Sequence, residues 1–181
     1  SMLVNRGRLR TMTRMSANTI FLTEAQLKAE LEKCEFCREK PCREACPADV
    51  SPADFIMAAR VGAPSDYRRA AALIMAANPL GGVCGALCPE KYCVQACAKS
   101  GVDSPVRIPE VQAEIVRRAN KRKVMPHFPA AAETGLRCAV VGAGPAGLAA
   151  AALLAQNGMA VEVFERAARA GGMVNLVPDF R

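Results

Sequence analysis

Hydrophobic and polar positions change rhythm along this chain. Over roughly the first 120 residues the apolar positions recur at helical spacing in short blocks, each bounded by a Ser, Thr, Pro or Gly signal. Thr23-Glu24-Ala25-Gln26 has the form of a capping box and opens a helix toward Cys34. Ser51-Pro52-Ala53-Asp54 opens a second, with Pro52 at the first helical position and Gly62 as its stop. Ser65 begins a third, which carries Ala70-Ala71-Ala72-Leu73-Ile74-Met75 as a core-packing stripe and ends at Asn78-Pro79. Residues 109–120 make a fourth. Residues 123–135 contain two prolines and an alanine run and read as a linker. His127, the only histidine, lies there as an exposed side chain without a role.

Past the linker the period shortens to that of strands. Arg137-Cys138-Ala139-Val140-Val141 reads as a strand, with Cys138 as a small core hydrophobe. Gly142-Ala143-Gly144-Pro145-Ala146-Gly147-Leu148 follows, then an alanine-rich helix to Gln156, then the strand Ala160-Val161-Glu162-Val163-Phe164 closed by Glu165. The order strand, GxGxxG, helix, strand, acid gives the glycines a dinucleotide-binding meaning. Gly142 allows the tight turn, Gly144 lets backbone approach a pyrophosphate, and Gly147 lets helix and strand pack closely. The helix N-terminus offers amide donors to phosphate, and Glu165 would accept from ribose hydroxyls. The plain alternative is that these glycines only form a strand-to-helix turn.

Eight of the nine cysteines stand in two mirrored groups. Cys34, Cys37, Cys42 and Cys46 give C-x2-C-x4-C-x3-C before Pro47; Cys84, Cys88, Cys93 and Cys97 give C-x3-C-P-x4-C-x3-C. Closely spaced thiolates suit one face of an iron-sulfur cubane whose cage is closed by a distant residue. A proline after the last cysteine is the habit of two-cluster ferredoxins, where that cysteine serves the other cluster. Structural zinc and a disulfide framework compete with this reading. Zinc usually takes two short knuckles per site, and no secretory signal accompanies the cysteines. Two [4Fe-4S] clusters are therefore expected.

The two cysteine groups, the phrase Asn78-Pro79-Leu80-Gly81-Gly82-Val83-Cys84-Gly85-Ala86-Leu87-Cys88-Pro89, the glycine turn, and Gly171-Gly172 with Pro178-Asp179-Phe180-Arg181 resemble the N-terminal part of dihydropyrimidine dehydrogenase. The glutamate synthase small subunit is similar. The resemblance covers about residues 24–181. It implies a mainly α-helical domain for two [4Fe-4S] clusters, followed by the first βαβ of an α/β Rossmann-type FAD-binding domain that continues past Arg181. An NAD(P)H site would lie beyond this chain. By the same resemblance Cys34, Cys37, Cys42 and Cys97 would hold the first cluster. Cys46, Cys88, Cys93 and Gln112 would hold the second, with Cys84 or Glu114 as alternatives to Gln112. FAD contacts map onto Gly142, Ala143, Gly144, Pro145, Ala146, Glu165, Met173 and Arg181, beside Gly147. The implied division is a disordered basic arm over 1–22, the iron-sulfur domain over 23–122, the linker over 123–135 and the start of the FAD domain over 136–181.

Charge alters this picture little. The chain carries a formal +7, and residues 1–23 hold four arginines and no acid, which marks a basic arm or an Arg-rich transit peptide. Arg117-Arg118 and Lys121-Arg122-Lys123 close a helix, where cations complement its dipole. With aromatics at 4% of residues, stacking platforms for nucleic acid are missing. No run of apolar residues is long enough for a membrane span, and thiols used for metal fit the cytoplasm. The function expected is electron transfer in an NAD(P)H-dependent oxidoreductase, from FAD to the clusters and on to a catalytic subunit or domain. A glutamate synthase small subunit, a non-catalytic relay and a zinc-bound interaction module stay open, as does a homodimer.

Overall fold

A computed structural model of the chain describes residues 21–177. The basic arm, apart from its last residues, and the stretch Pro178-Asp179-Phe180-Arg181 lie outside the described residues. Six helices precede a parallel βαβ: α1 (Glu24–Glu32), α2 (Pro41–Glu44), α3 (Pro52–Ala59), α4 (Pro64–Ala77), α5 (Gly81–Leu87), α6 (Ile108–Lys121), then β1 (Arg137–Val141), α7 (Pro145–Gln156) and β2 (Ala160–Phe164).

The local signals explain most of the helix starts. Gln26 N donates to Thr23 Oγ1 at 3.3 Å and Thr23 N donates back to Gln26 Oε1 at 3.0 Å, the reciprocal pair of a capping box. Pro52 opens α3 as expected. α4 starts at Pro64, one residue before the expected Ser65, because proline's fixed φ suits the first helical position and the Asp66 carboxylate accepts the Ala63 N–H at 3.0 Å. Helix α2 likewise opens at a proline, Pro41, whereas α5 carries no such signal. Three of the seven residues of α5 are glycine, which costs helix propensity at each position. Packing overrides that cost. A Cβ on Gly85 would stand 2.5 Å from Ala113 N and 2.9 Å from Pro109 O, so α5 lies directly on the backbone of α6.

Helix α6 is the centre of the helical part and touches α1, α3, α4 and α5. Phe55, Ile56, Tyr67, Ile74, Val111 and Ile115 are buried around it. Glu114 is buried too, and its charge is met at 2.6 to 2.7 Å by the guanidinium groups of Arg117 and Arg118. Arg118 also donates to Glu24 and, at 3.3 Å, to the Tyr67 hydroxyl, tying α1 and α4 to α6. A buried carboxylate is tolerated only with such partners.

In the βαβ the two strands pair in parallel with Arg137 opposite Ala160 and Val141 opposite Phe164, and their bounds are those expected. A Cβ on Gly147 would lie 1.9 Å from Gly142 O, so only glycine lets α7 come this close to the turn. Cys138 is half-buried beside the Met159 sulfur at 3.6 Å, less enclosed than a core position, because α7 covers only one face of the pair. The stretch over 123–135 is anchored at both ends. Val124 and Met125 pack on the helical core, while Ala131 N donates to Gln156 O at 2.7 Å and Thr134 N to Gly158 O at 2.9 Å. His127 is exposed. Among the described residues no single helix is long and apolar enough to cross a membrane.

Candidate iron-sulfur and dinucleotide sites

Cys34, Cys37, Cys42 and Cys97 line one hollow, walled by Ala53, Ile56, Val106 and Ile108. The first two follow α1, Cys42 lies in α2, and Cys97 arrives from the loop between α5 and α6. The apolar wall raises the cost of ionising Cys34 and Cys42. Burial pushes the Cys34 thiol up, with further push from Cys37 and Cys97; burial, Cys34 and Cys97 do the same to Cys42. Ligation by the Cys34 and Cys42 thiolates therefore displaces protons that burial helps to hold.

Cys46, Cys88 and Cys93 form a second group. Burial carries the Cys93 thiol up to about 11, and the neighbouring Cys46, Cys88 and Cys42 add to it. Cys88 is raised by burial and by Cys84 and Cys46. Cys84 thus stands beside this group, one helical turn before Cys88 on α5. Gln112 sits on α6 with its Nε2 donating to Gly81 O at 2.6 Å, one turn before Cys84. That bond orients the amide and leaves Oε1 as its free donor atom, since no partner for it is found among the described residues. Glu114 is spent on the two arginines.

The donor sets fit cubanes. Among the described residues no three Cys, His, Asp or Glu side chains converge to hold a single ion, whereas a tetrahedral zinc would draw four sulfurs to about 2.3 Å from one centre. Four cysteines lining one shared hollow, as at the first site, suit a larger cluster. Three residues of the cysteine loops, Phe36, Lys40 and Asp49, hold left-handed backbone at φ of 54°, 46° and 52°. Non-glycine residues take that conformation where surrounding structure compels it.

Three lysines rim the first hollow, a feature not foreseen from the sequence: Lys33, Lys40 and Lys99. Lys33 Nζ donates to Glu30 at 2.9 Å and Ser104 at 3.3 Å. Lys40 Nζ donates to Asp54 at 2.7 Å, and Lys99 lies 3.4 Å from both Glu35 and Asp103. Their signal in the sequence is adjacency, each lysine standing one or two residues from a cysteine of the hollow.

Glu30 anchors this rim. It is buried and accepts from Arg107 N at 3.0 Å and Arg107 Nε at 3.1 Å as well as from Lys33. Burial opposes its charge, but the Arg107 N–H, Lys33 and the Arg107 side chain outweigh burial and hold the carboxyl below its usual 4.5. A depressed carboxylate stabilises the fold above its unfolded pKa, and that contribution is lost as pH falls through the lower folded value. Glu30→Gln should therefore destabilise the helical part by about 1–3 kcal/mol near pH 7. The gap to the native protein should close below pH 4.5, the usual value. Denaturant titrations at both pH values check this, and a gap that ignores pH refutes it.

At the glycine turn, Gly144 faces open space, where an added Cβ would meet nothing within 4 Å. That is the room a pyrophosphate needs beside the N-terminus of α7, with Pro145 and Ala146 in its first turn. Glu165 accepts the Ala167 N–H at 2.7 Å and the Ala143 N–H at 2.8 Å, bonds that hold its carboxyl below the usual range. Each oxygen keeps a lone pair for a ribose hydroxyl. Gly171 N donates to Ala143 O at 2.7 Å and brings the short 3-10 turn Gly172–Leu176, with exposed Met173, back to the glycine turn. Arg181 lies outside the described residues.

Comparison with known proteins agrees with this geometry. The chain is 36% identical over 154 residues to the NAD-dependent dihydropyrimidine dehydrogenase subunit PreT of Escherichia coli (strain K12), covering 84% of this chain and 36% of that protein. It is 31% identical over 161 residues to the glutamate synthase (NADPH) small chain of the same organism, covering 88% of this chain and 34% of that one. The chain thus spans about a third of the length of these relatives. A family model described as NAD(P)-binding Rossmann-like domain matches residues 140–178. A second, described as Dihydroprymidine dehydrogenase domain II, 4Fe-4S cluster, matches residues 11–124, and with well over half of its length so matched the chain belongs to that family.

Proposed function

We propose that this chain is the electron-relay part of an NAD(P)H-dependent iron-sulfur flavoprotein oxidoreductase of the dihydropyrimidine dehydrogenase type. The observation that carries this is the arrival of Cys97 beside Cys34, Cys37 and Cys42 around one apolar-walled hollow, across more than fifty intervening residues. Those four hold the first [4Fe-4S] cluster; Cys46, Cys88, Cys93 and Gln112 hold the second. When bound, FAD would supply two-electron exchange with NAD(P)H and the clusters one-electron transfer. The protein's own part is to hold and insulate. Ala53, Ile56, Val106 and Ile108 keep water from the first site, and the Gly81 carbonyl orients Gln112 at the second. The α7 N-terminus receives phosphate, and the Ala143 and Ala167 amides aim Glu165 at ribose. The division into a helical iron-sulfur domain over 23–122, a linker over 123–135 and a flavin domain from 136 belongs to the same proposal.

Electrons leave to a catalytic subunit or domain in the cytoplasm. The relatives' names, a dehydrogenase subunit and a synthase small chain, support a partner of that kind. Likeness to the synthase small chain also supports a second acceptor, one that makes glutamate. Iron and acid-labile sulfide analysis of anaerobic protein, with an absorption spectrum, tests the relay; stoichiometric zinc without sulfide would overturn it.

Flavin binding is tested by titration with FAD and, separately, NADH. Val141 is 88% and Phe164 49% exposed at the ends of the paired strands, so the 181-residue chain should bind FAD weakly. A chain extended to the length of the relatives should bind it tightly and quench its fluorescence. In that longer chain Glu165→Ala should weaken FAD. Gly147→Ala should abolish binding, since its Cβ meets a backbone carbonyl that cannot move aside. Equal affinity for FAD in all three extended proteins would remove the glycine turn from the site.

A further inference from the structure

Resting on the proposed first cluster, we propose that Lys33, Lys40 and Lys99 form a cationic collar that raises its reduction potential. Four thiolates and a cubane carry net negative charge, and reduction adds one more. Net charge and hydrogen bonding around a cluster are the main levers on its potential. Three lysines and one carboxylate, Glu35, line this hollow, while the other anions that hold the lysines, Glu30, Asp54 and Asp103, are not among its lining residues. The lysine side chains are only 22 to 29% exposed, which limits screening by solvent. Their pinning costs no flexibility at reduction. Each ammonium is already fixed by a carboxylate at 2.7 to 3.4 Å, so the collar is preorganised toward the more negative state.

Lys33 follows the last turn of α1, Lys40 caps α2 over the Phe36 ring at 5.0 Å, and Lys99 follows Cys97; three separate segments converge on one rim. The paired anions keep the rim from repelling itself.

The test is a potential-controlled reduction followed by electron paramagnetic resonance, on anaerobic protein with its iron and sulfide counted. Lys33→Met with Lys40→Met and Lys99→Met should keep the native iron content and lower the midpoint of one cluster, with the other unmoved. The expected drop is at least tenfold in the equilibrium constant for reduction, about 59 mV for one electron. Lys28→Met, an exposed pair with Glu32 on α1, should change neither. Should the triple variant lose iron, Lys99→Met alone carries the test, and Lys99→Arg should restore its midpoint. Full iron with both midpoints in place, or both moved equally, overturns the collar and leaves the relay standing. Native protein without iron or sulfide overturns the relay itself.

Discussion

Cys42→Ser should lose about four of about eight irons and unfold at lower denaturant, whereas Cys84→Ser should keep them all. Cys42 faces the first hollow with Cys34, Cys37 and Cys97 and packs against the hydrophobic core. Removing one thiolate there removes ligation energy, which in such sites is folding energy. Cys84 is the harder case, since it stands beside Cys88 and the second group. The distinction lies in Gln112. Its amide is held by the Gly81 carbonyl at 2.6 Å, a bond that orients a ligand in the way outer partners orient metal-bound histidine. Gln112→Ala should accordingly cost iron from the second site alone. Iron analysis with sulfide counting on the three variants decides: loss in Cys84→Ser with none in Gln112→Ala would move the ligand role to the thiol.

The parts legible in the sequence are those written in local chemistry. Glycines and prolines bracket β1, α7 and β2, so their bounds follow residue by residue. Thr23 and Gln26 announce α1 through a pairing that needs only three residues of separation. The helix α5 is hidden because its glycines argue against helix; what makes it one is contact with α6, a fact of tertiary structure. The lysine collar is hidden for the same reason. Lys99 meets Glu35 across 64 positions and Lys33 meets Ser104 across 71, and neither pairing leaves a periodic trace. Cys84 is visible as a cysteine four residues before Cys88, but the approach of Cys88 to Cys46 and Cys93 is not, since it depends on tertiary contacts across many residues.

Gly85→Ala should release the second cluster while sparing the first. Nothing about Gly85 is chemical; it binds no metal and touches no cofactor. Its added Cβ would press into Ala113 N at 2.5 Å, Pro109 O at 2.9 Å and Ala113 Cα at 3.0 Å, backbone atoms of α6 that no rotamer change can clear. Helix α5 must then lift from α6. Overpacking of this kind costs about 1–3 kcal/mol, and here it falls on the contact that carries Cys84 and Cys88 on one side and Gln112 on the other. The Gln112 to Gly81 bond spans the same contact and should break with it. The first site draws nothing from α5: its cysteines come from the ends of α1, from α2 and from the loop before α6. The outcome expected is half the native iron, a single remaining reduction wave, and a fold that still melts cooperatively. Full iron in the variant would show that the two helices part without disturbing the ligands, and complete loss of iron would show that the two sites fold as one unit rather than on separate sides of α6.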